Sequence, residues 1–323
     1  MPASPRPSTR HLVAPELDGL IDLFPAVDFS QGIAALRAAG IGRAAPPLPD
    51  ALAAIPCTER FLPVGGGHPD VRVLHYEPAR GAQGPRPALL HLHGGGFVLG
   101  NPDMNDASNR RWVAETGCVV VSVDYRLAPE TTWQGALADN AAALAWLHGK
   151  AGELGVDRKR IAVAGESAGG GHAAMLSQHA RALGTLPICF LLLDAPMLDD
   201  RTCTHPDPHP YTGEFVWTAE KNRFGWASLL GMEPGGDSVP SEAVPARATD
   251  LAGLPPTFIS VGALDLFLEE NLDYARRLTR AGVPVELHVV PGAYHGAGMA
   301  ADAPLNRQTA SLRLAALKRA FAL

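Results

Sequence analysis

Two rhythms of apolar residues alternate along the chain. VRVLHYE (71–77) switches between apolar and polar side chains with the period of a half-covered strand. ALLHL within 86–92, CVVVSVDYR (118–126), RIAVAG (160–165) and PICFLLLDAP (187–196) are nearly unbroken apolar runs, as in strands buried on both faces. TFISVG (257–262) and VPVELHVV (283–290) complete the set. Between them lie helical patterns: 133–148, with Leu137, Leu144 and Leu147 on one face; 167–182, ending at Gly184; 269–281, stopped by Gly282; and 303–322. Strands alternating with helices predict an α/β fold, a largely parallel sheet with helices on both faces.

Two stretches stand outside that rhythm. Residues 1–50 are amphipathic in short pieces broken by proline, and 199–245 are rich in Pro, Asp and aromatics without a strand pattern. The expected division is therefore a sheet core in two parts, 51–198 and 246–323, with 1–50 and 199–245 folding together as a helical cap over the sheet's carboxyl edge. No repeat or low-complexity segment interrupts this plan.

Composition narrows the function. A net charge of −6 and the absence of any basic run argue against nucleic acid, which needs a cationic stripe to neutralise phosphates. No apolar stretch approaches the roughly 18 residues of a membrane span. The first twenty residues carry Arg6, Arg10 and Asp18 and lack the apolar core of a secretory leader, so a cytoplasmic protein is expected. The four cysteines, Cys57, Cys118, Cys189 and Cys203, are scattered; Cys118 and Cys189 read as buried apolar residues, and reduced thiols fit that compartment.

The sharpest chemical signal is Gly165-Glu166-Ser167-Ala168-Gly169. With 34 glycines in 323 residues, a serine is flanked this way by chance about 1% of the time, so the motif alone is weak. Its setting is what carries weight: it joins a buried strand to a helix, where a tight turn can expose a serine Oγ and only glycine leaves room for the neighbouring backbone. A Gly-rich helix start holding an anion is the alternative, and no lysine follows as a phosphate loop would require. His93-Gly94-Gly95-Gly96-Phe97 follows another buried strand, and consecutive glycines let N–H groups converge on a developing oxyanion. Gly65-Gly66-Gly67, with no such strand before it, reads as an ordinary turn.

A serine nucleophile needs an imidazole base, and the base needs a carboxylate. Of twelve histidines, His288 lies on a strand and His148, His172 and His179 lie in helices, whereas His295 falls in a Gly-rich loop just after a strand. Asp265 also follows a strand, and Glu269, four residues on, is the alternative carboxylate. The order Ser167, Asp265, His295 is that of the α/β hydrolases. His205, Asp207 and His209 in HPDPHP would be a metal site only if the loop were structured for it; an exposed proline loop is the simpler reading, so neither metal nor cofactor is expected.

HGGGF (93–97), DYRLAPE (124–130), GESAGG (165–170) and the block from Asp265 through AGVPVELHVVPGAYHG together resemble the hormone-sensitive-lipase-like, or family IV, branch of the α/β hydrolases, from about residue 85 to the end. The resemblance implies an α/β-hydrolase fold, a triad of Ser167, Asp265 and His295, and an oxyanion hole from the N–H groups of Gly95, Gly96 and Ala168. It also implies that His93 and DYRLAPE support the glycine loop. Glu166 stands where many members have Asp, with its side chain expected to point away from the nucleophile. The implied activity is hydrolysis of small carboxylic esters. An amidase or lactonase would use the same residues, and a non-catalytic receptor on this fold would not need all three.

Phe97, Phe215, Trp217 and Tyr294 are candidates for lining the substrate pocket; Phe215, Trp217, Phe224 and Trp226 could equally form a small core of the cap. A cap of short pieces predicts preference for acyl chains from acetate to about octanoate, since each methylene adds about 0.8 kcal/mol of binding only while room remains. VPVELHVV, the last strand, is expected at a sheet edge and so to pair two copies in a homodimer.

Overall fold

A computed structural model describes residues 8–25, 27–41, 48–78 and 84–323. The N-terminal stretch contributes three short helices, α1 (Pro15–Ile21), α2 (Ile33–Ala38) and α3 (Asp50–Ala53). Within 1–50, positions 1–7, 26 and 42–47 lie outside the described residues. Eight strands follow among the described residues: β1 (Cys57–Leu62), β2 (Val71–Tyr76), β3 (Arg86–Leu92), β4 (Val119–Asp124), β5 (Val156–Glu166), β6 (Phe190–Asp194), β7 (Thr257–Gly262) and β8 (Val285–Val290). The helices between and after them are α4 (Asp106–Thr116), α5 (Trp133–Gly149), α6 (Ala168–Leu183), α7 (Ala219–Leu230), α8 (Leu268–Arg280) and α9 (Pro304–Phe321).

All eight strands form one sheet in the order β1-β2-β4-β3-β5-β6-β7-β8. The first two strands run antiparallel to their neighbours and the rest are mutually parallel, which is the largely parallel sheet expected from the alternation. Central strands are buried along nearly their whole length, because helices cover both faces: Leu90, Leu92, Val121, Val123, Val163 and Leu193 pack with α5 and α6 on one side, while Leu89, Val120, Ala162 and Phe258 pack with Leu317 and Phe321 of α9 on the other. β8 lies at one edge, as its place in the sequence suggested, with Val289 exposed.

Two elements have no strong sequence signal. β1 (CTERFL) exposes four consecutive side chains, so an edge strand carries no apolar alternation to detect. The α4 sequence, DASNRRWVAET, buries only Asn109, Val113 and Thr116, and its end is fixed by Gly117 in the left-handed region.

Residues 199–245 contain α7 and short 3-10 turns, and no strand among the described residues. They meet the N-terminal stretch directly. Phe29 stacks on Phe224 at 4.5 Å, Glu214 accepts from the backbone and hydroxyl of Thr9, and Arg37 of α2 donates to the carbonyls of Val98 and Ala128. Arg37 thereby ties the N-terminal segment to the two loops that the motifs single out.

Candidate active site

Every sequence-predicted reacting residue follows the carboxyl end of a parallel strand: Gly95 and Gly96 after β3, Ser167 and Ala168 after β5, Asp265 after β7 and His295 after β8. Parallel strands bring those ends to one edge, so residues far apart in sequence meet there. Ser167 Oγ lies 2.9 Å from His295 Nε2, and His295 Nδ1 lies 2.8 Å from Asp265 Oδ2. Asp265 is 1% exposed and its other oxygen accepts the Phe267 N–H at 2.9 Å, so the carboxylate is fixed at both ends. Glu269 is exposed on the first turn of α8 and does not meet the imidazole. Burial alone would lower the His295 pKa, but the charge of Asp265 and its hydrogen bond outweigh that and raise it above the ordinary imidazole value.

Ser167 has φ 54° and ψ −121°, a conformation that costs a non-glycine residue about 1–3 kcal/mol and persists only where the surroundings enforce it. The enforcement is steric and hydrogen-bonded. A Cβ on Gly165 would collide with the Gly169 backbone, and one on Gly169 with the Leu92 and His93 carbonyls, so strand, turn and helix close on one another only with glycine at both positions. The Ser167 N–H donates to Asp194 O at 2.9 Å, and Met197 N–H returns a bond to Ser167 O.

The loop 94–100 is shaped by positive φ at Gly95 (127°) and Gly96 (60°), which no side-chain-bearing residue adopts cheaply. Among the described residues, the N–H groups of Gly95, Gly96 and Ala168 donate to no other protein group. Ala168 opens α6, where the N–H groups have no partner within the helix. These three donors are therefore free for an oxyanion. Beneath the loop, Tyr125 stacks on His93 at 4.2 Å and donates to the His93 carbonyl at 2.6 Å, while Arg126 clasps the buried Asp139. Burial lowers the His93 pKa to about 4, keeping it neutral.

Glu166 does more than the sequence suggested. Its side chain enters a network: Oε1 accepts the Gly94 N–H at 3.0 Å and the Asn105 amide at 2.9 Å, and Oε2 lies 2.9 Å from His91 Nε2. His91 Nδ1 in turn meets Ser122 Oγ at 3.0 Å. Burial would raise the Glu166 pKa, yet His91 and the Gly94 N–H hold it below the ordinary value. The residue beside the nucleophile thus anchors the first glycine of the oxyanion loop. Nothing in the spacing of GESAG foretells this, because the partners lie on β3, β4 and the segment before α4.

A family model described as the alpha/beta hydrolase fold matches residues 89–299, about two thirds of the chain. The chain belongs to the α/β hydrolases, in their hormone-sensitive-lipase-like branch. The hydrolase is 33% identical to Esterase LipI of Mycobacterium tuberculosis over 303 residues, covering 83% of this chain and 88% of that one. It is 38% identical to Carboxylesterase NlhH of the same organism over 245 residues, 73% and 74% of the two chains. Among solved structures, Bacterial Heroin Esterase superposes with a TM-score of 0.86 at 36% identity, covering 97% of this hydrolase and 99% of that protein.

The hydrolase's aromatic residues divide in a way the sequence left open. Trp217 is set against Gly96, with its ring 6.2 Å from that of His295. Phe215 packs edge-on against Tyr294 at 5.6 Å, and Trp226 is fully enclosed against Phe97 at 4.9 Å. Two expected pocket residues are not pocket walls. Phe97 is 1% exposed, wedged between Trp226 and His172, and Tyr294 is 2% exposed with its hydroxyl donating to Leu17 O at 3.0 Å. Each ring fills a core, so neither has a free face for substrate. Phe267, which the sequence reading passed over, stands edge-on to His295 at 5.0 Å and confines the imidazole.

Elsewhere, a cavity of about 610 Å³ is bounded by Arg201, Arg247 and Arg277. It includes none of the triad or oxyanion residues, and its arginines are occupied by Asp199, Asp200 and the Ala246 and Ala248 carbonyls. Among the described residues, no group of three His, Cys, Asp or Glu side chains is arranged to hold a metal, and no helix is long and apolar enough to cross a membrane.

Proposed function

We propose that this hydrolase is a serine carboxylesterase that cleaves short- to medium-chain esters through an acyl-enzyme. The observation that carries the reading is the relay Ser167 Oγ–His295 Nε2 at 2.9 Å and His295 Nδ1–Asp265 Oδ2 at 2.8 Å, beside three unpaired N–H donors. In the first step Ser167 Oγ bonds to the ester carbonyl carbon while its proton passes to His295 Nε2. Gly95, Gly96 and Ala168 stabilise the oxyanion, each donor being worth about 3–4 kcal/mol in the transition state. The carbon–alkoxide bond then breaks, and His295 gives its proton to the departing alcohol. Water repeats the sequence on the acyl-enzyme, with His295 again the base. Asp265 fixes the tautomer and supports the imidazolium.

Names of relatives such as Carboxylesterase NlhH and Ethyl acetate hydrolase of Pseudomonas putida support ester bonds as the target. The chain-length reading rests on the cover over the site, assembled from 8–25, 27–41 and 199–245 in pieces no longer than α7. The test is kcat/KM along p-nitrophenyl esters from acetate to palmitate, with a pre-steady-state burst as the sign of an acyl-enzyme. A maximum at or below octanoate is expected; a profile still rising at palmitate would overturn the size limit. We further propose a cytoplasmic protein, supported by four unpaired cysteines, and a homodimer through the exposed edge of β8. Light scattering at micromolar concentration showing only the 33.9 kDa monomer would refute the dimer.

A further inference from the structure

The backbone outlier that bears most directly on substrate is Val216. Its φ is 59°, where a β-branched residue is a marked exception, and Trp217 N–H donates to Phe215 O at 2.7 Å to close a strained three-residue turn. The surroundings hold that turn at several points. Lys221 Nζ donates to Val216 O at 2.6 Å, Trp217 Nε1 donates to Asn222 Oδ1 at 3.1 Å, and Thr218 caps α7 by accepting the Lys221 N–H. A strained turn and the first turn of a helix thus form one clamp on a single indole.

The clamp delivers the indole to the reacting edge. A Cβ on Gly96 would lie 2.8 Å from Trp217 Cζ2 and nearer still to the ring's tip, so only glycine at 96 lets the ring seat there. The ring centroid is 6.2 Å from that of His295, and Val216 Cγ1 faces Gly296, the residue after the histidine. Phe29 meets the indole edge-on at 6.2 Å. The indole therefore occupies the space between an oxyanion donor and the general base, where the groups flanking an ester carbonyl must lie.

We propose that Trp217 is the specificity-determining residue of this site, a fixed wall that restricts one of the two groups flanking the carbonyl, acyl or alcohol, to a small one. This inference rests on the reading of Ser167, Asp265 and His295 as the triad. Because the indole is hydrogen-bonded and its backbone is clamped, the wall does not swing aside for a larger group.

The test is a pair of ester series on wild type, Trp217→Ala and Trp217→Phe: p-nitrophenyl acetate to octanoate, which varies the acyl side, and methyl to octyl acetate, which varies the alcohol side. The readout is the ratio of kcat/KM for the largest ester to that for the smallest. In Trp217→Ala the ratio should rise about tenfold or more in one series, roughly the gain from burying two further methylenes, with a smaller rise in Trp217→Phe. The series that responds identifies which side the wall limits. Ratios unchanged in both series, in a variant that still melts cooperatively, would overturn the proposal. Should Trp217→Ala not fold, Trp217→Leu and Trp217→Phe carry the same measurement. Ser167→Ala, run beside them, separates the failures: turnover surviving in that variant sinks the triad reading, whereas unchanged ratios with an inactive Ser167→Ala sink only the wall.

Discussion

The sheet edge and the segments that cover it are built on different principles. At the edge, side chains are placed by backbone: Ser167 by a turn that closes only with Gly165 and Gly169, the oxyanion loop by Gly95 and Gly96, Asp265 and His295 by short loops after β7 and β8. In the cover, side chains place each other: Phe29 on Phe224, Phe29 on Trp217, Phe215 on Tyr294, with helices too short to be stable alone. The edge is consequently stiff and intolerant of substitution, which suits atoms that must react at fixed separations. Apart from the hydrogen-bonded clamp on Trp217, the cover is held by packing area, so it tolerates changes in shape and is where substrate preference can be altered without disturbing the chemistry.

Ser167→Ala gives the largest effect expected from that contrast: a loss of about 10⁶-fold in kcat with the thermal melt unchanged, the scale of removing a nucleophile that acts only through its hydroxyl. A variant keeping a tenth of wild-type turnover would break the edge half of the comparison. Asp265→Asn should cost about 10⁴-fold by presenting the wrong imidazole tautomer, while the exposed Glu269→Gln leaves turnover near wild type. The same pair sharpens the pH dependence. The base works only when neutral and its pKa is raised, so the acidic limb of kcat/KM should have its midpoint above the usual 6.5 or so. Asp265→Asn should move that midpoint down, and a midpoint that stays put would separate the carboxylate from the base.

Glu166→Gln tests whether the edge extends to residues that never touch substrate. One oxygen remains to accept the Gly94 N–H, but the charge facing His91 is lost. We expect kcat to fall by about 10²-fold with little change in KM, near the lower bound for losing an oxyanion donor, and Glu166→Asp to recover part of it. Equal changes in kcat and stability across all substitutions would reduce Glu166 to a structural carboxylate. The smallest effect belongs to the cover. Phe29→Ala removes a stacked, half-buried ring and should cost about 1–2 kcal/mol of stability, with acetate turnover nearly unchanged. If it instead abolished turnover while the melt held, the two regions would not be separable as described.

The sequence by itself determined the frame. Apolar runs alternating with helical patterns are a one-dimensional consequence of burying strands on both faces, so the parallel sheet and the helices α5, α6, α8 and α9 were legible with little error in their ends. The glycines of 94–96, 165 and 169 were legible as well, because steric demands on a single turn are local, and so was the order of Ser167, Asp265 and His295, each in a loop after a strand. Tertiary structure alone decided what depends on neighbours distant in sequence. It set Asp265 rather than Glu269 against His295, since the direction of a loop side chain follows from the buried N–H that fixes its other oxygen. It enclosed Phe97 and Tyr294 while bringing Trp217 to Gly96, because an aromatic residue reads the same in sequence whether its ring fills a core or faces a substrate. It also gave Glu166 its partners, joining the nucleophile's turn to the oxyanion loop through contacts 61 to 75 residues apart, a separation over which no local pattern carries information.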